Sequence, residues 1–265
     1  MKYIVVTGAY GGMGYKTVKE LVSKGFTVFA LDKKIKLPEE NVIPIEVDVT
    51  DFESVKRAFD KVCSVTDKLF AVLHFAGVYM LDSLIEMSND DFERIFRINV
   101  YGAFYVNKVF SSLLESGSRI LMVTSELAPL KPLPFTGIYA ITKSTLDKYA
   151  YSLRMEMQLL GVNVCVLRAG AVSTSMIGAS TDALDCFCKK TLLYECNAKR
   201  FRKIVNSVES KCVSPDKIAN KTLKILGKKK PKFSYKINRN KLLLILNSLP
   251  ERFQFWIIKK ILKKK

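Results

Sequence analysis

Apolar residues fall along this chain in short, almost unbroken runs: Tyr3 to Val6, Thr27 to Leu31, Val42 to Val47, Phe70 to Phe75, Arg119 to Thr124 and Val162 to Leu167. Runs rich in β-branched residues and poor in polar alternation predict strands covered on both faces. Between them, Asp51 to Val65, Asp90 to Leu114 and Tyr139 to Leu160 have the length and periodicity of helices. This alternation predicts a doubly wound α/β fold around a parallel sheet. The rhythm breaks over residues 173–212, a segment placed to form a lid over substrate. It resumes in a helix from Pro215 to Leu226, which closes a single domain over residues 1–226. Residues 227–265 form an extension with a pattern of its own.

The first predicted strand ends in Thr-Gly-Ala-Tyr-Gly-Gly-Met-Gly, Thr7 to Gly14, and a helix follows at once. Glycines at 8, 12 and 14 let the backbone turn sharply and approach a pyrophosphate at the helix N-terminus, where free N–H groups and the helix dipole favour anions. Taken alone, Gly-x-x-x-Gly-x-Gly also describes a tight strand-to-helix turn with no ligand. Asp32, at the end of the second strand, is placed to accept hydrogen bonds from an adenosine ribose, which favours a dinucleotide. The loop residues Thr7, Gly8, Tyr10, Gly11, Gly12, Met13 and Gly14 are then the candidate cofactor contacts. Asp32 repels a 2′-phosphate and favours NAD, whereas Lys33 and Lys34 attract that phosphate and keep NADP open. Asp48 ends the third strand, where it caps the next helix, reaches the adenine, or does both.

In order along the chain, Thr7-Gly8-x-x-x-Gly12-x-Gly14, Asp48-Val49, Ala76-Gly77, Asn99, Ser125 and Tyr139-x-x-x-Lys143 stand as they do in the short-chain dehydrogenases/reductases, and residues 1–175 resemble that family. Arg168 to Thr174 resembles the family's Pro-Gly segment after the sixth strand. The resemblance implies a Rossmann-type fold, NAD(P)-dependent oxidoreduction and a homo-oligomer. It implies catalysis by Ser125, Tyr139 and Lys143, with Asn99 holding a water that links Lys143 to solvent. It also implies that Lys143 binds the nicotinamide ribose, that Val49, Ala76, Gly77 and Val172 line the cofactor, and that Thr174 fixes the carboxamide. Three positions depart from the family pattern. The usual Asn-Asn-Ala-Gly reads His74-Phe75-Ala76-Gly77, which removes polar side chains that brace the sheet, and Ala169 replaces the Pro before Gly170. Ser125 and Tyr139 are fourteen residues apart, a wider interval than is common, so Thr124 or Glu126 stays open as a substitute for the serine.

Tyr139 and Lys143, four apart on a predicted helix, project from one face. A tyrosine with a pKa of about 10 is a poor base at neutral pH. A nearby ammonium and a positive nicotinamide ring are expected to favour the phenolate and lower that value. Tyr139 then takes an alcohol proton as hydride leaves, or returns it in reduction, while Ser125 holds the substrate oxygen. Tyr-x-x-x-Lys by itself is most often an exposed helix pair; Ser125 and the glycine loop turn the reading toward catalysis. His74 lies in an apolar strand with no acidic partner in sequence and is expected to be a packed core residue.

Charge changes the picture at the C-terminus. The net charge is +18, but residues 221–265 hold 15 Lys or Arg against the single acid Glu251, and without their +14 the first 220 residues carry only +4. Six scattered cysteines and one histidine offer neither a disulfide framework nor a metal site. The first strand begins with no apolar signal segment before it, and no apolar run is long enough to cross a bilayer, so a cytoplasmic location is expected. On a helical wheel Arg252, Lys259 and Lys263 gather on one side, while Phe253, Ile257, Ile258, Ile261 and Leu262 cover much of the rest and Trp256 stands at the boundary. That is the pattern of a helix lying on an anionic membrane surface. Two alternatives stand beside it: the apolar face docks on the protein's own body or on a second subunit, or the basic tail binds nucleic acid. The chain has no stacking platform for the latter, and no nucleic-acid partner is expected.

Apolar residues in the lid (Met176, Ile177, Leu184, Phe187, Leu192, Leu193, Tyr194, Phe201) and before Tyr139 (Leu130, Leu133, Phe135) suggest a lipophilic substrate. Tails of this kind resemble those of family members acting on steroids, retinoids and other lipids. The expectation is an NAD(P)-dependent enzyme interconverting a secondary alcohol and a ketone on a hydroxysteroid or related lipid at a membrane surface. Its rivals are a reductase of a non-steroid carbonyl (fatty-acyl, retinoid or sugar) and a non-catalytic NAD(H)-sensing protein recruited to membranes.

Overall fold

The apolar runs pair into one sheet of seven parallel strands, in the order β3-β2-β1-β4-β5-β6-β7. The strands are β1 (Lys2–Thr7), β2 (Phe26–Asp32), β3 (Val42–Glu46), β4 (Leu69–His74), β5 (Leu114–Ser125), β6 (Asn163–Ala169) and β7 (Ser234–Ile237). This computed structural model describes residues 2–209 and 211–263, with the backbone alone over 175–182 and 207–209. The side chains of Met176 and Ile177 lie outside the described residues. The order reverses between β1 and β4, and the crevice beyond the strand ends at such a switch is where doubly wound sheets bind ligands.

Successive strand residues point to opposite faces, so each strand feeds two cores. Ile4, Val6, Val28, Ala30, Leu73 and Leu121 pack with Val18 and Leu21 of α1 (Gly12–Ser23) and Ile218 and Ile225 of α8 (Pro215–Leu226). Val5, Phe29, Leu31 and Val72 face the other way, onto Val55 and Ala58 of α2 (Phe52–Cys63) and Val106 and Phe110 of α4 (Gly102–Phe110). Ile120, Met122, Val164 and Val166 meet Leu146 and Ala150 of α5 (Gly137–Met157). Helix α3 (Asn89–Phe96), capped by Ser88, passes through a wide π-helical turn, Arg97–Tyr101, into α4. Burial on both faces explains why these strands read as continuous apolar runs.

The stretch over residues 173–212 folds as two helices, α6 (Ser175–Lys190) and α7 (Glu195–Glu209), around a separate cluster of Leu81, Phe135, Leu184, Phe187, Phe201 and Leu262. The seventh strand comes from the basic extension, where no strand was expected. Because β7 runs parallel to β6, Lys228, Lys229 and Lys230 lie at the N-terminal edge of the sheet and Arg239 and Lys241 at the opposite edge. The positive charge of the extension is therefore two patches, not one. Two helices follow, α9 (Lys241–Ser248) and α10 (Glu251–Leu262). The α9–α10 corner is held by Gln254, which donates to Leu249 O at 2.6 Å, and by Asn247 Oδ1, which accepts Lys131 N–H at 2.9 Å. At the far end Asn197 donates to Leu262 O at 2.6 Å, and Arg200 bonds Lys263 O. The apolar surface of α10 divides: Ile258 and Leu262 pack on the lid, whereas Phe253, Phe255, Trp256 and Ile261 remain exposed. No helix among the described residues is long and apolar enough to cross a membrane.

His74 is buried as expected, but it has a partner that the sequence did not reveal. Its Nε2 pairs with Asn107 Oδ1 at 2.8 Å, and Asn107 Nδ2 donates to Tyr149 OH at 3.3 Å. This polar chain joins β4, α4 and α5, supplying a brace where the family's asparagines are missing. Burial, only partly offset by Asn107, lowers the His74 pKa from 6.5 to about 4. The unfolded chain therefore takes up a proton below pH 6.5 that the folded chain refuses, so stability present above that value is lost as the pH falls toward 4. Urea unfolding at pH 7.5 and pH 5 should show a loss of about 2 kcal/mol from this group, and His74→Gln should remove that part of the slope. An equal slope in the variant would mean that His74 is not the titrating group.

Candidate active site

The turn after β1 is built by close backbone approach. Gly8 has φ +64°, and a Cβ there would lie 2.5 Å from Ala76 N; a Cβ on Gly14 would lie 2.0 Å from Gly8 O. Thr7 Oγ1 accepts the Ala76 N–H at 3.4 Å, tying the loop to the end of β4. Helix α1 follows an N-cap at Gly11 that offers no side-chain cap, and it has no acid in its first turn, which leaves its leading N–H groups to an anion. A Cβ on Gly12 would come within 2.7 Å of Thr174, so the glycine loop and the segment after β6 bracket one space. This cradle suits a dinucleotide pyrophosphate.

Asp32 sits at the mouth of that cradle. Its Oδ2 accepts Tyr10 N–H at 2.8 Å and its Oδ1 accepts Lys33 N–H at 2.7 Å, which turns the carboxylate toward the glycine loop. Lys33 is engaged by Asp48, Nζ to Oδ2 2.7 Å. Burial works to raise the Asp48 pKa, but Lys33 and Thr50 outweigh it and hold the carboxyl below its usual range. Asp48 does not cap the next helix; Asp51 does, accepting Glu53 N–H at 3.0 Å, while Asp48 closes a turn with Thr50. Val49 packs against Gly102, where a Cβ would lie 2.8 Å from its Cγ2.

Across the crevice, Ser125 ends β5 in register with Ala169, and Tyr139 and Lys143 lie in the first two turns of α5. Ser125 and Tyr139 line the same cleft, and Ser125 works to lower the Tyr139 pKa. Thr124 points away, donating to Asp147 Oδ1 at 3.2 Å in a buried pair whose Oδ2 meets Arg168 at 2.6 Å. That pair ties α5 to β6 and sets which face of the helix meets the crevice. Lys143 donates to Val123 O at 3.3 Å, and its Nζ stands 5.8 Å from the centre of the Tyr139 ring. Asn99, in the π-helical turn, donates to Val78 O at 3.0 Å and Thr142 Oγ1 at 3.1 Å and accepts Val78 N–H at 2.8 Å. A Cβ on Gly77 would lie 3.1 Å from Asn99 Oδ1 and 3.2 Å from Lys143 Nζ, so only glycine leaves both groups their place.

Burial pushes the Tyr139 hydroxyl up to about 12, against a smaller lowering by Ser125. Burial likewise lowers Lys143 to about 8. Among the protein's own groups desolvation is the largest influence on the phenol, which stays protonated at neutral pH.

The crevice opens into a cleft of about 210 Å³. Of the apolar residues anticipated for substrate, Phe201 and Leu133 line it. Leu184, Phe187 and Phe135 form the lid's own core, and Leu192 and Leu193 face outward. Residues not anticipated take their place: Tyr79, whose ring meets Tyr139 edge-on at 4.7 Å, with Leu127, Ile204, Val205 and Leu243. Leu243 comes from α9, so the extension contributes to the cleft. Glu126, also in the lining, explains how: its Oε2 accepts the Asn240 N–H at 2.6 Å, just ahead of α9. Burial raises its pKa, partly offset by that bond.

Residues 2–185 match the family model described as short chain dehydrogenase. Estradiol 17-beta-dehydrogenase 2 of Mus musculus is 35% identical over 192 residues, covering 67% of this chain and 50% of that protein. NADPH-dependent 1-acyldihydroxyacetone phosphate reductase of Saccharomyces cerevisiae is 27% identical over 185 residues, covering 66% of this chain and 62% of that protein. The chain spans about half the length of the mouse relative it matches. A solved short chain dehydrogenase family protein from Francisella tularensis superposes with a TM-score of 0.75 at 19% identity, covering 89% of this chain and 97% of its own, which shows a shared fold.

Fluorescence titration with NADH and NADPH tests the cradle. The native chain should bind NADH the more tightly, and Asp32→Ala should shift the ratio toward NADPH by about tenfold as one carboxylate's repulsion is lost. An unchanged ratio would show that Asp32 does not face the ribose.

Proposed function

The chain belongs to the short-chain dehydrogenase family, and on that premise we propose that it is an NAD(P)-dependent oxidoreductase interconverting a secondary alcohol and a ketone on a lipophilic substrate, a hydroxysteroid foremost. The observation that carries this reading is the convergence of Ser125, Tyr139 and Lys143 on one cleft walled by Leu127, Leu133, Phe201 and Leu243. The estradiol dehydrogenase relative supports the steroid part of it.

In this scheme a ketone oxygen enters between Ser125 and Tyr139 and accepts a hydrogen bond from each. The dinucleotide, when bound along the glycine loop, supplies or receives the hydride. Tyr139, held as the phenol, passes its proton to the oxygen as charge develops there. Lys143, kept in reach by Gly77 and Val123 O, carries the positive charge that offsets the phenolate left behind. Asn99 fixes the loop at Val78 against α5, so the reacting groups hold their spacing. In the oxidative direction the same atoms work in reverse. A second copy of the chain would dock on the exposed Phe104 of α4 and Tyr151 and Met155 of α5.

The outward face of α10 supports the membrane part of the reading. Phe253 and Trp256, the latter 56% exposed, stand among Arg252, Lys259 and Lys260, and Lys260 Nζ lies 4.7 Å over the Trp256 ring. Aromatic side chains with ammonium groups suit a bilayer interface, each cation near an anionic surface contributing about 1 kcal/mol. The inward face stays on the lid, so both the self-packing and the membrane alternatives find a place on one helix.

Two measurements test this. Nicotinamide absorbance with keto- and hydroxysteroids should show turnover, and Tyr139→Phe should lower kcat by about 10²- to 10⁴-fold with cofactor binding retained. Tight cofactor binding with no turnover on any steroid would overturn the substrate class. Co-sedimentation with anionic vesicles should fall about tenfold in Phe253→Ala/Trp256→Ala, whose side chains are exposed. Undiminished sedimentation would remove the membrane role of this helix.

A further inference from the structure

A second cavity of about 450 Å³ lies outside the catalytic cleft, within the size range of small-molecule sites. Its walls are apolar: Leu84, Ile85, Leu133, Pro134 and Phe135 on one side, Ile258 and Leu262 of α10 on the other. Two ammonium groups, Lys259 and Lys263, stand at its rim, and no acidic side chain lines it. Neither lysine meets a carboxylate among the described residues, whereas three cations of the lid do: Lys190 pairs with Asp82, Lys199 with Glu195 and Arg202 with Asp185.

The surface beside this groove is unusual in the same sense. Ile85 is 70% exposed and Leu192 is 89% exposed, with Leu84 and Leu193 also largely open to solvent. These side chains are gathered deliberately by one carboxylate: Glu86 accepts the N–H groups of Leu192 and Leu193 at 2.8 and 3.1 Å and the Thr191 hydroxyl at 2.6 Å. The bond clips the loop after β4 to the α6–α7 connection, so four large aliphatic groups share one apron beside an apolar groove. An apolar channel with a cationic rim is complementary to a molecule with a long hydrocarbon chain and a single acidic end. A neutral lipid would leave the two ammonium groups without counter-charges.

We propose that the groove between α10 and the loops at Leu84–Ile85 and Leu133–Phe135 is a binding site for one long-chain carboxylate, its chain along Ile85, Pro134 and Leu262 and its acid group between Lys259 and Lys263. The site is separate from the cleft but shares a wall with it, since Leu133 lines both. It also abuts the start of α5, where a Cβ on Gly137 would touch Leu84 at 3.4 Å, two residues before Tyr139. An occupied groove thus bears directly on the walls of the reaction space.

Calorimetric titration of the full chain with oleate, kept below its micelle-forming concentration, tests the assignment. One saturable site is expected, weakened at least about tenfold in Lys259→Glu/Lys263→Glu and in Ile85→Asp, and equally weakened when methyl oleate replaces oleate. These side chains are exposed, and circular dichroism checks that the variants stay folded. Tyr139→Phe and Leu243→Trp, which alter the cleft alone, should bind oleate as the native chain does. Loss of binding in Leu243→Trp would place the chain in the catalytic cleft and overturn the proposal. So would equal affinity after charge reversal, unsaturable uptake, or binding to anionic vesicles with none to monomeric oleate. Turnover on steroids does not enter any of these outcomes, so the groove and the proposed reaction stand or fall separately.

Discussion

The burial of Tyr139 and Lys143 beside the cleft is the constraint on which the proposed chemistry rests. A pKa shift from 10 to about 12 corresponds to about 3 kcal/mol, and it stands although Ser125 works in the opposite direction. The same burial lowers Lys143 to about 8, so both groups are driven toward their neutral forms. A dry pair of this kind favours the phenol as proton donor. It also makes any positive charge brought close to the phenolate unusually effective, because little solvent is left to screen it.

Keeping that pocket dry accounts for much of the structure above the sheet. Phe135 takes a left-handed backbone at φ +64°, a strain on the order of 1–3 kcal/mol for a bulky residue. It is held there by contacts with Phe187, Tyr194 and Phe201 at 4.7, 5.2 and 5.3 Å, each pair contributing roughly 0.5–1.5 kcal/mol. The balance is close, and its result is a fixed loop immediately ahead of the catalytic helix. On the opposite wall, Glu126 uses one carboxylate oxygen to hold the Asn240 N–H, and Asn238 donates to Ala171 O at 2.8 Å and Lys211 O at 2.9 Å. The extension is therefore stitched to the cleft at the point where it leaves the sheet.

What the sequence made legible follows from the number of faces a segment buries. The five interior strands read clearly because both faces are covered, and the glycine loop reads clearly because close backbone contacts tolerate no side chain. Of the two edge strands, β3 still carries an apolar run, whereas β7 is only four residues long and Ser-Tyr-Lys-Ile has none to betray it. The partners of His74 and the role of Glu126 lie 33 and 114 residues away in the chain, beyond any local pattern. The lid was visible only as a break in rhythm. Which of its apolar residues faced the cleft was settled by how α6, α7 and α10 pack, and a composition count cannot order them. The same holds at Tyr139: spacing reveals that a lysine is near, while the burial that pushes the hydroxyl up in the protein itself belongs to the tertiary structure.

The extension shows why a helical wheel gave an incomplete answer at the C-terminus. A wheel sorts residues by direction but does not say how many surfaces the helix must satisfy. Ile258 and Leu262 spend their apolar surface on the lid, and what remains outward, Phe253 and Trp256 among arginine and lysine, is too apolar for water and too charged for a core. Helix α9 also places Leu243 in the lining of the cleft, and hydrogen bonds tie the hairpin at Asn240, Asn247 and Leu262 to Glu126, Lys131 and Asn197. The segment that looks from sequence like an appended basic tail is thus structurally part of the cleft's enclosure.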